Sequence, residues 1–217
     1  MKSLKVKQLD INNKKPSLEE ISKLLDISGE SNKINQLPWR DFSYQPDVRF
    51  KIAYGEKELY LKYYVNENYI RAEHGKSNQM VCEDSCVEFF VSPSTDGVYY
   101  NFEFNCIGTC LLGKGKSRKN SKVLNTKVIE RIRRISTLGN KPFEERSGKF
   151  YWELTIAIPL TSFTNHKLSE LKGKKFRANF YKCGDKLTEM HYLTWNRVET
   201  NNPDFHQPAF FGEIEFC

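Results

Sequence analysis

Across most of this 217-residue chain, apolar side chains recur at every second position, the spacing of strands that pack one face and leave the other free. Eight segments read this way: Val48 to Tyr54, Leu59 to Val65, Cys86 to Val91, Tyr99 to Cys106, Phe150 to Ile158, Phe176 to Lys182, His191 to Arg197 and Gly212 to Phe216. Turn chemistry separates them, including Ser92-Pro93-Ser94 with Asp96-Gly97, and Cys183-Gly184-Asp185. One helix is signalled near 17–26, where Ser17 and Glu20 form a capping box ahead of Leu18, Ile21, Leu24 and Leu25. The stretch Val123 to Ile135 fits a helix through Leu124, Val128, Ile132 and Ile135, yet IRRISTL can also open a strand. This pattern predicts an all-β fold, an antiparallel β-sandwich of immunoglobulin or jelly-roll type with one N-terminal helix and short peripheral helices. No repeat, low-complexity tract or linker divides it. A single domain over 1–217 is expected, with 1–38 as an N-terminal extension.

Composition narrows the partners. Charged residues make up 28% and apolar residues 39%, a globular balance. No apolar run approaches the roughly 18 residues a spanning helix needs, so no membrane partner is expected. The start, MKSLKVKQLDINNKK, has lysines but no apolar h-region; a cytoplasmic chain is expected, or a periplasmic or secreted one if a leader has been removed. The net charge of +7, from 34 Lys and Arg against 27 Asp and Glu, gathers in GKGKSRKNSK (Gly113 to Lys122), Arg131, Arg133, Arg134 and KGKK (Lys172 to Lys175). Basic loops either bind acidic polymers or are solvated, and with no RNP signature, finger or recognition helix beside them no nucleic-acid partner is expected. Of the six cysteines, Cys82 and Cys86 are four apart, as are Cys106 and Cys110, unlike a C-x-x-C metal knuckle. On a strand that spacing is roughly 13 Å, too far for a disulfide within either pair. Bridges between strands stay open; free, buried thiols are the preferred reading.

Alternation also assigns faces. Phe102, Phe104 and Cys106 oppose Asn101, Glu103 and Asn105; Val87, Phe89 and Val91 oppose Glu88; Phe176, Ala178 and Phe180 oppose Arg177, Asn179 and Tyr181. Trp152 falls on an apolar side and is expected in the core. If the strands are neighbours, the outward face collects Glu88, Asn101, Glu103, Asn105, Arg177, Asn179 and Tyr181. Carboxylates and guanidinium groups grip paired hydroxyls, and Asn donates to one while accepting from another. An ordinary solvated sheet face would look similar. The segment LTWNRVETNNPDFHQPAFFGEIEF (Leu193 to Phe216) adds Trp195, Phe205, Phe210 and Phe211 around Asn196, Asn201, Asn202, Asp204, His206 and Gln207. Flat rings beside neutral amides suit a sugar, whose C–H face packs on an aromatic while its hydroxyls seek donors and acceptors. Trp195 alone reads equally well as core.

EDSCVEFFVSP (Glu83 to Pro93), VYYNFEFN (Val98 to Asn105) and the C-terminal segment, with LYLKYYV (Leu59 to Val65) and WELTIAIPLTSF, resemble the family 9 carbohydrate-binding modules and their DOMON-like relatives from about Trp39 onward. The resemblance implies a β-sandwich that binds a carbohydrate ligand, commonly attached to a glycoside hydrolase and serving polysaccharide degradation. It implies no required cofactor and often structural calcium, for which Glu67, Asp84 and Asp96 are available without EF-hand spacing. The family's clamp of two tryptophans is altered here, with Cys82 at the first position and Phe205 at the second. Matching segments place the polar partners at Glu88, Glu103, Asn105, Asn179 and Asn202. Tyr69, Tyr99 or Trp195 are candidates for the missing ring.

Two other classes compete with a non-catalytic binding module. Glu88 and Glu103 could form the carboxylate pair of a glycoside hydrolase, and the basic loops could serve an acidic polysaccharide. His74, His191 and His206 with Cys82 show no metal-ligand spacing, and no nucleophile elbow, P-loop or dinucleotide fingerprint is present.

Overall fold

The structure, a computed structural model, describes residues 1–11, 16–28 and 30–217. In chain order the strands are β1 (Ser3–Gln8), β2 (Asn32–Lys33), β3 (Asp47–Tyr54), β4 (Glu58–Ala72), β5 (Cys86–Ser92), β6 (Tyr99–Asn105) and β7 (Cys110–Gly115). They continue with β8 (Lys122–Val123), β9 (Arg133–Ser136), β10 (Phe143–Pro159), β11 (Lys175–Cys183), β12 (Tyr192–Thr194) and β13 (Gly212–Phe216). Helix α1 is Leu18–Ser28 and α2 is the single turn Thr126–Ile129. The capping box forms as expected, the Glu20 amide donating to Ser17 Oγ at 3.1 Å, and Ile21 and Leu25 are the helix's buried stripe.

The chain is mostly β, but it departs from an all-antiparallel sandwich of two separate sheets. The strands run in one path, β8-β7-β6-β5-β11-β13-β1-β3-β4-β10-β9, with β12 on β11 and β2 on β3. The join is β1, which pairs in parallel with both β13 and β3. The sheet is therefore mixed, and it curls so that its two halves close on each other. Phe50 of β3 stacks on Phe180 of β11 with ring centroids 3.8 Å apart, and Trp195 meets both rings edge-on. β1 is carried by Leu4 and Val6, an alternation too short and too lysine-rich to stand out in the sequence. The ambiguous 123–135 stretch resolves into both candidates, one turn of α2 and then β9.

Facing is as the alternation predicts. Val87, Phe89, Val91, Phe102, Phe104, Phe176, Ala178 and Phe180 share the core between the halves, and Trp152 is fully buried there. The opposite face of β5, β6 and β11 corrects the expectation of an open polar surface. Phe90, Tyr99 and Tyr181 stand there among the polar residues and build a second apolar layer with Trp39, Val198, Phe205 and Phe211 from the covering loops. Each ring stacked there removes apolar area from water at about 25 cal/mol per Å², so the loops lie over the sheet instead of leaving it wet.

Candidate functional site

Where the covering loops part, a cleft of about 290 Å³ opens onto this face. Its floor is Glu88, Asn101, Glu103 and Cys183; Cys82, Asp185, Tyr192, Arg118, Phe205 and His206 are among the residues of its walls. β5 and β6 place Glu88 directly opposite Glu103. The Asn101 amide donates to Glu103 Oε1 at 2.8 Å, and Ser121 Oγ approaches Asn101 Oδ1 at 3.4 Å. Asn101 can lie flat across the floor because Gly113 on β7 lacks a side chain: a Cβ there would meet Asn101 Oδ1 at 2.5 Å. Phe205 stacks on Tyr181, centroids 4.1 Å apart and planes 8° apart, and is braced by Trp39 and Tyr192. Only 7% of Phe205 remains exposed. At the mouth, Arg118 reaches Asp204 at 3.1 Å, while Asp204 also accepts from the His206 amide and the Gln207 side chain.

The electrostatics follow from burial. Desolvation pushes the Glu88 carboxyl well above its usual range, and the facing Glu103 adds to the effect. Glu103 is raised to about 7, chiefly by desolvation, with Asn101 opposing and Asp185 reinforcing. Asp185 is raised by its own burial. His206 is pushed down to about 4 by burial and by Arg118. The cleft thus presents carboxyls able to donate as well as accept, an amide, a guanidinium and a neutral imidazole beside two aromatic rings.

Of the residues anticipated from sequence, Glu88, Glu103, Asn101 and Phe205 come together here. The others have different work. Trp195 lies in the inter-sheet core, pressed against Gly212, where a Cβ would meet the ring at 2.5 Å and the Lys2 carbonyl at 2.8 Å. Asn179 is fully buried and closes a two-way bond with Asn196, accepting from its amide at 2.9 Å and donating to its carbonyl at 2.8 Å. Asn105 donates to Asp84 and to the His74 carbonyl. Arg177 is turned onto the Phe211 and Gly212 carbonyls. Tyr181 is covered by Phe205, to whose carbonyl it donates. Tyr99 is buried with its hydroxyl on His206 Nδ1 at 2.8 Å. Tyr69 belongs to β4 in the other half of the sheet, and Asn202 is exposed outside the cleft lining. Arg118, Asp185, Tyr192 and Cys183 were not anticipated. Arg118 hid inside the basic run and Asp185 inside a turn, so neither carried a periodic signal.

The acidic residues considered for calcium do not fit it. Glu67 sits within β4, fully buried, accepting from Trp152 Nε1 at 2.7 Å and paired with Lys182 Nζ at 2.9 Å. Asp84 accepts from the Glu73 and His74 amides and from Asn105, and Asp96 accepts from the Val98 amide. No two of these three share a group of potential metal donors among the described residues. The cysteines are free, with Cys86, Cys106, Cys110 and Cys183 buried as expected, Cys82 half-buried and Cys217 exposed.

Comparison with known proteins bears on this geometry. A Bacteroides uniformis protein provisionally assigned as carbohydrate-binding, with a crystal structure at 2.70 Å resolution, is 42% identical over 99% of each chain with a TM-score of 0.95. A family 9 carbohydrate-binding module of Caldicellulosiruptor kristjanssonii solved with glucose shares the fold at TM-score 0.59 and 13% identity, over 100% of this chain and 96% of that one. Another structure, of a family 9 module from the same organism with cellotriose, gives 0.62 and 14%, over 99% and 93%. Among curated proteins none matches. The sequence profile of carbohydrate-binding family 9 matches residues 19–216, and the chain belongs to that family.

Proposed function

We propose that the protein is a non-catalytic carbohydrate-binding module whose ligand enters the cleft over Glu88, Asn101 and Glu103 and packs against Phe205 and Tyr192, in the service of glycan degradation. The observation that carries this reading is the meeting, in one cleft, of hydroxyl-matching groups and aromatic rings. At about 290 Å³ the cleft stands at the small end of ligand pockets, which suits one sugar ring or the end of a chain. Family 9 relatives bound to glucose and to cellotriose make these two sugars the first probes.

A hydrolytic role for Glu88 and Glu103 is the competing reading, since β5 and β6 set two carboxyls side by side, as in the pair that cleaves glycosides. Calorimetric titration with glucose and cellotriose tests the binding reading. Asn101→Ala and Asp185→Ala are expected to weaken binding at least about tenfold, the worth of about 1.4 kcal/mol, with the sugar recovered intact. Unchanged affinity in both variants contradicts the assignment of the cleft; release of shortened sugars contradicts the non-catalytic reading.

A further inference from the structure

At the floor of the cleft Glu88 meets two thiols that the sugar-binding reading does not use. Cys86 of β5 and Cys183 of β11 stand directly opposite each other in the sheet. Glu88, two residues from Cys86 and so on the same face, brings Oε1 to 3.1 Å from Cys183 Sγ and 3.9 Å from Cys86 Sγ. We propose that Cys86, Glu88 and Cys183 form a binding site for a thiophilic divalent cation of the zinc class, entered through the cleft.

The geometry supports a set of three ligands. A tetrahedral ion with bonds of about 2.3 Å to sulfur and about 2.0 Å to oxygen holds those atoms about 3.5 Å apart, midway between the two distances observed. The three donor atoms all lie within 4.8 Å of one another. Two thiolates and one carboxylate are a soft donor set that selects zinc-like ions over calcium or magnesium. Glu88 and Cys183 line the cleft, so an ion from solvent reaches two of its three ligands directly. The fourth position then faces the cleft, open to water or to the half-buried Cys82, which shares the lining.

Thiol and carboxyl ligands take up an ion only by giving up their protons, so affinity strengthens as pH rises.

The test uses the full chain, reduced with a non-thiol reductant and titrated with cobalt(II). One equivalent is expected to give the sulfur-to-cobalt charge-transfer band of a thiolate site, with tetrahedral ligand-field intensity. The ion should be displaced by zinc and not by calcium. Cys86→Ser and Cys183→Ser should each weaken binding at least about tenfold, about 1.4 kcal/mol, while Cys217→Ser, exposed at the C terminus, leaves it unchanged. Should the two serine variants fail to fold, X-ray absorption of the zinc-loaded wild type decides, with two sulfur neighbours at about 2.3 Å expected. Absence of the charge-transfer band, a zinc shell of nitrogen and oxygen only, or a Cys86–Cys183 disulfide persisting in the reduced chain overturns the proposal. Sugar titrations of the metal-free chain are read separately, so a failed metal site leaves the carbohydrate reading standing, and the converse holds.

Discussion

Glu88 and Glu103 face each other across adjacent strands with 2% and 6% of their surfaces exposed, and a neighbouring asparagine supplies one of them with a hydrogen bond. Both carboxyls hold their protons more tightly in the folded chain than the roughly 4.3 of a free glutamate. The folded state therefore binds more protons than the unfolded one above that value. The stabilisation is complete below about pH 4 and is lost as pH rises through the folded values, near 7 for Glu103. His191 and His206, held below their ordinary range, act in the opposite sense below about pH 6.5. Glu103→Gln removes the Glu103 titration together with its push on Glu88, and both act in the same direction. Urea unfolding between about pH 5 and about pH 8 should show Glu103→Gln gaining on wild type toward alkaline pH, by up to about 1.4 kcal/mol per pH unit for each proton involved. A constant difference contradicts the assignment.

Lys182 and Glu67 form a fully buried ion pair, and Lys182 also meets His191 Nε2 at 2.8 Å. Breaking such a pair from one side strands the other charge. Lys182→Met should cost about 3–5 kcal/mol, measured by urea unfolding at neutral pH. Adding Glu67→Gln should recover a large part of the loss. If the double variant is less stable than Lys182→Met, the pair does not couple as described.

Gly212→Ala tests the support beneath the core. Its Cβ would collide with both the Trp195 ring and the Lys2 carbonyl, so a loss of about 1–3 kcal/mol or more is expected. Cellotriose affinity per folded molecule should be unchanged, because Trp195 is outside the cleft. A selective loss of affinity with normal stability would return Trp195 to the binding site.

The strands and their facing were legible because period-two alternation is local. What escaped the sequence is non-local. The parallel pairing of β1 with β13 and β3 depends on a six-residue strand meeting one partner at the far end of the chain and another beyond α1. The polar face read as open is covered because Phe90, Tyr99 and Tyr181 share it, and those rings recruit Trp39 and Phe205 from distant loops. For the same reason Asn105 and Asn179 became structural: a buried amide must find partners, and both found backbone groups before any ligand could. Glu88, Asn101 and Glu103 escaped that fate because the cleft opens above them.

Of the lysines and arginines in the run Gly113 to Lys122, Arg118 is the one in the cleft lining. Lys116 is exposed and absent from the cleft lining, so Lys116→Ala should leave sugar affinity unchanged. Affinity for a neutral sugar should also hold nearly constant as salt is raised, since few ion pairs with a ligand are made or screened. A steep loss with salt in calorimetric titrations would favour an acidic polymer as the ligand.

A crystal structure of the chain soaked with glucose or cellotriose locates the sugar outright. The ring should lie in the cleft, within hydrogen-bond distance of Asn101 and Glu103 and against Phe205 or Tyr192. A sugar bound instead beside Tyr69 or Asn202, with the cleft holding only solvent, would contradict the placement of the binding site.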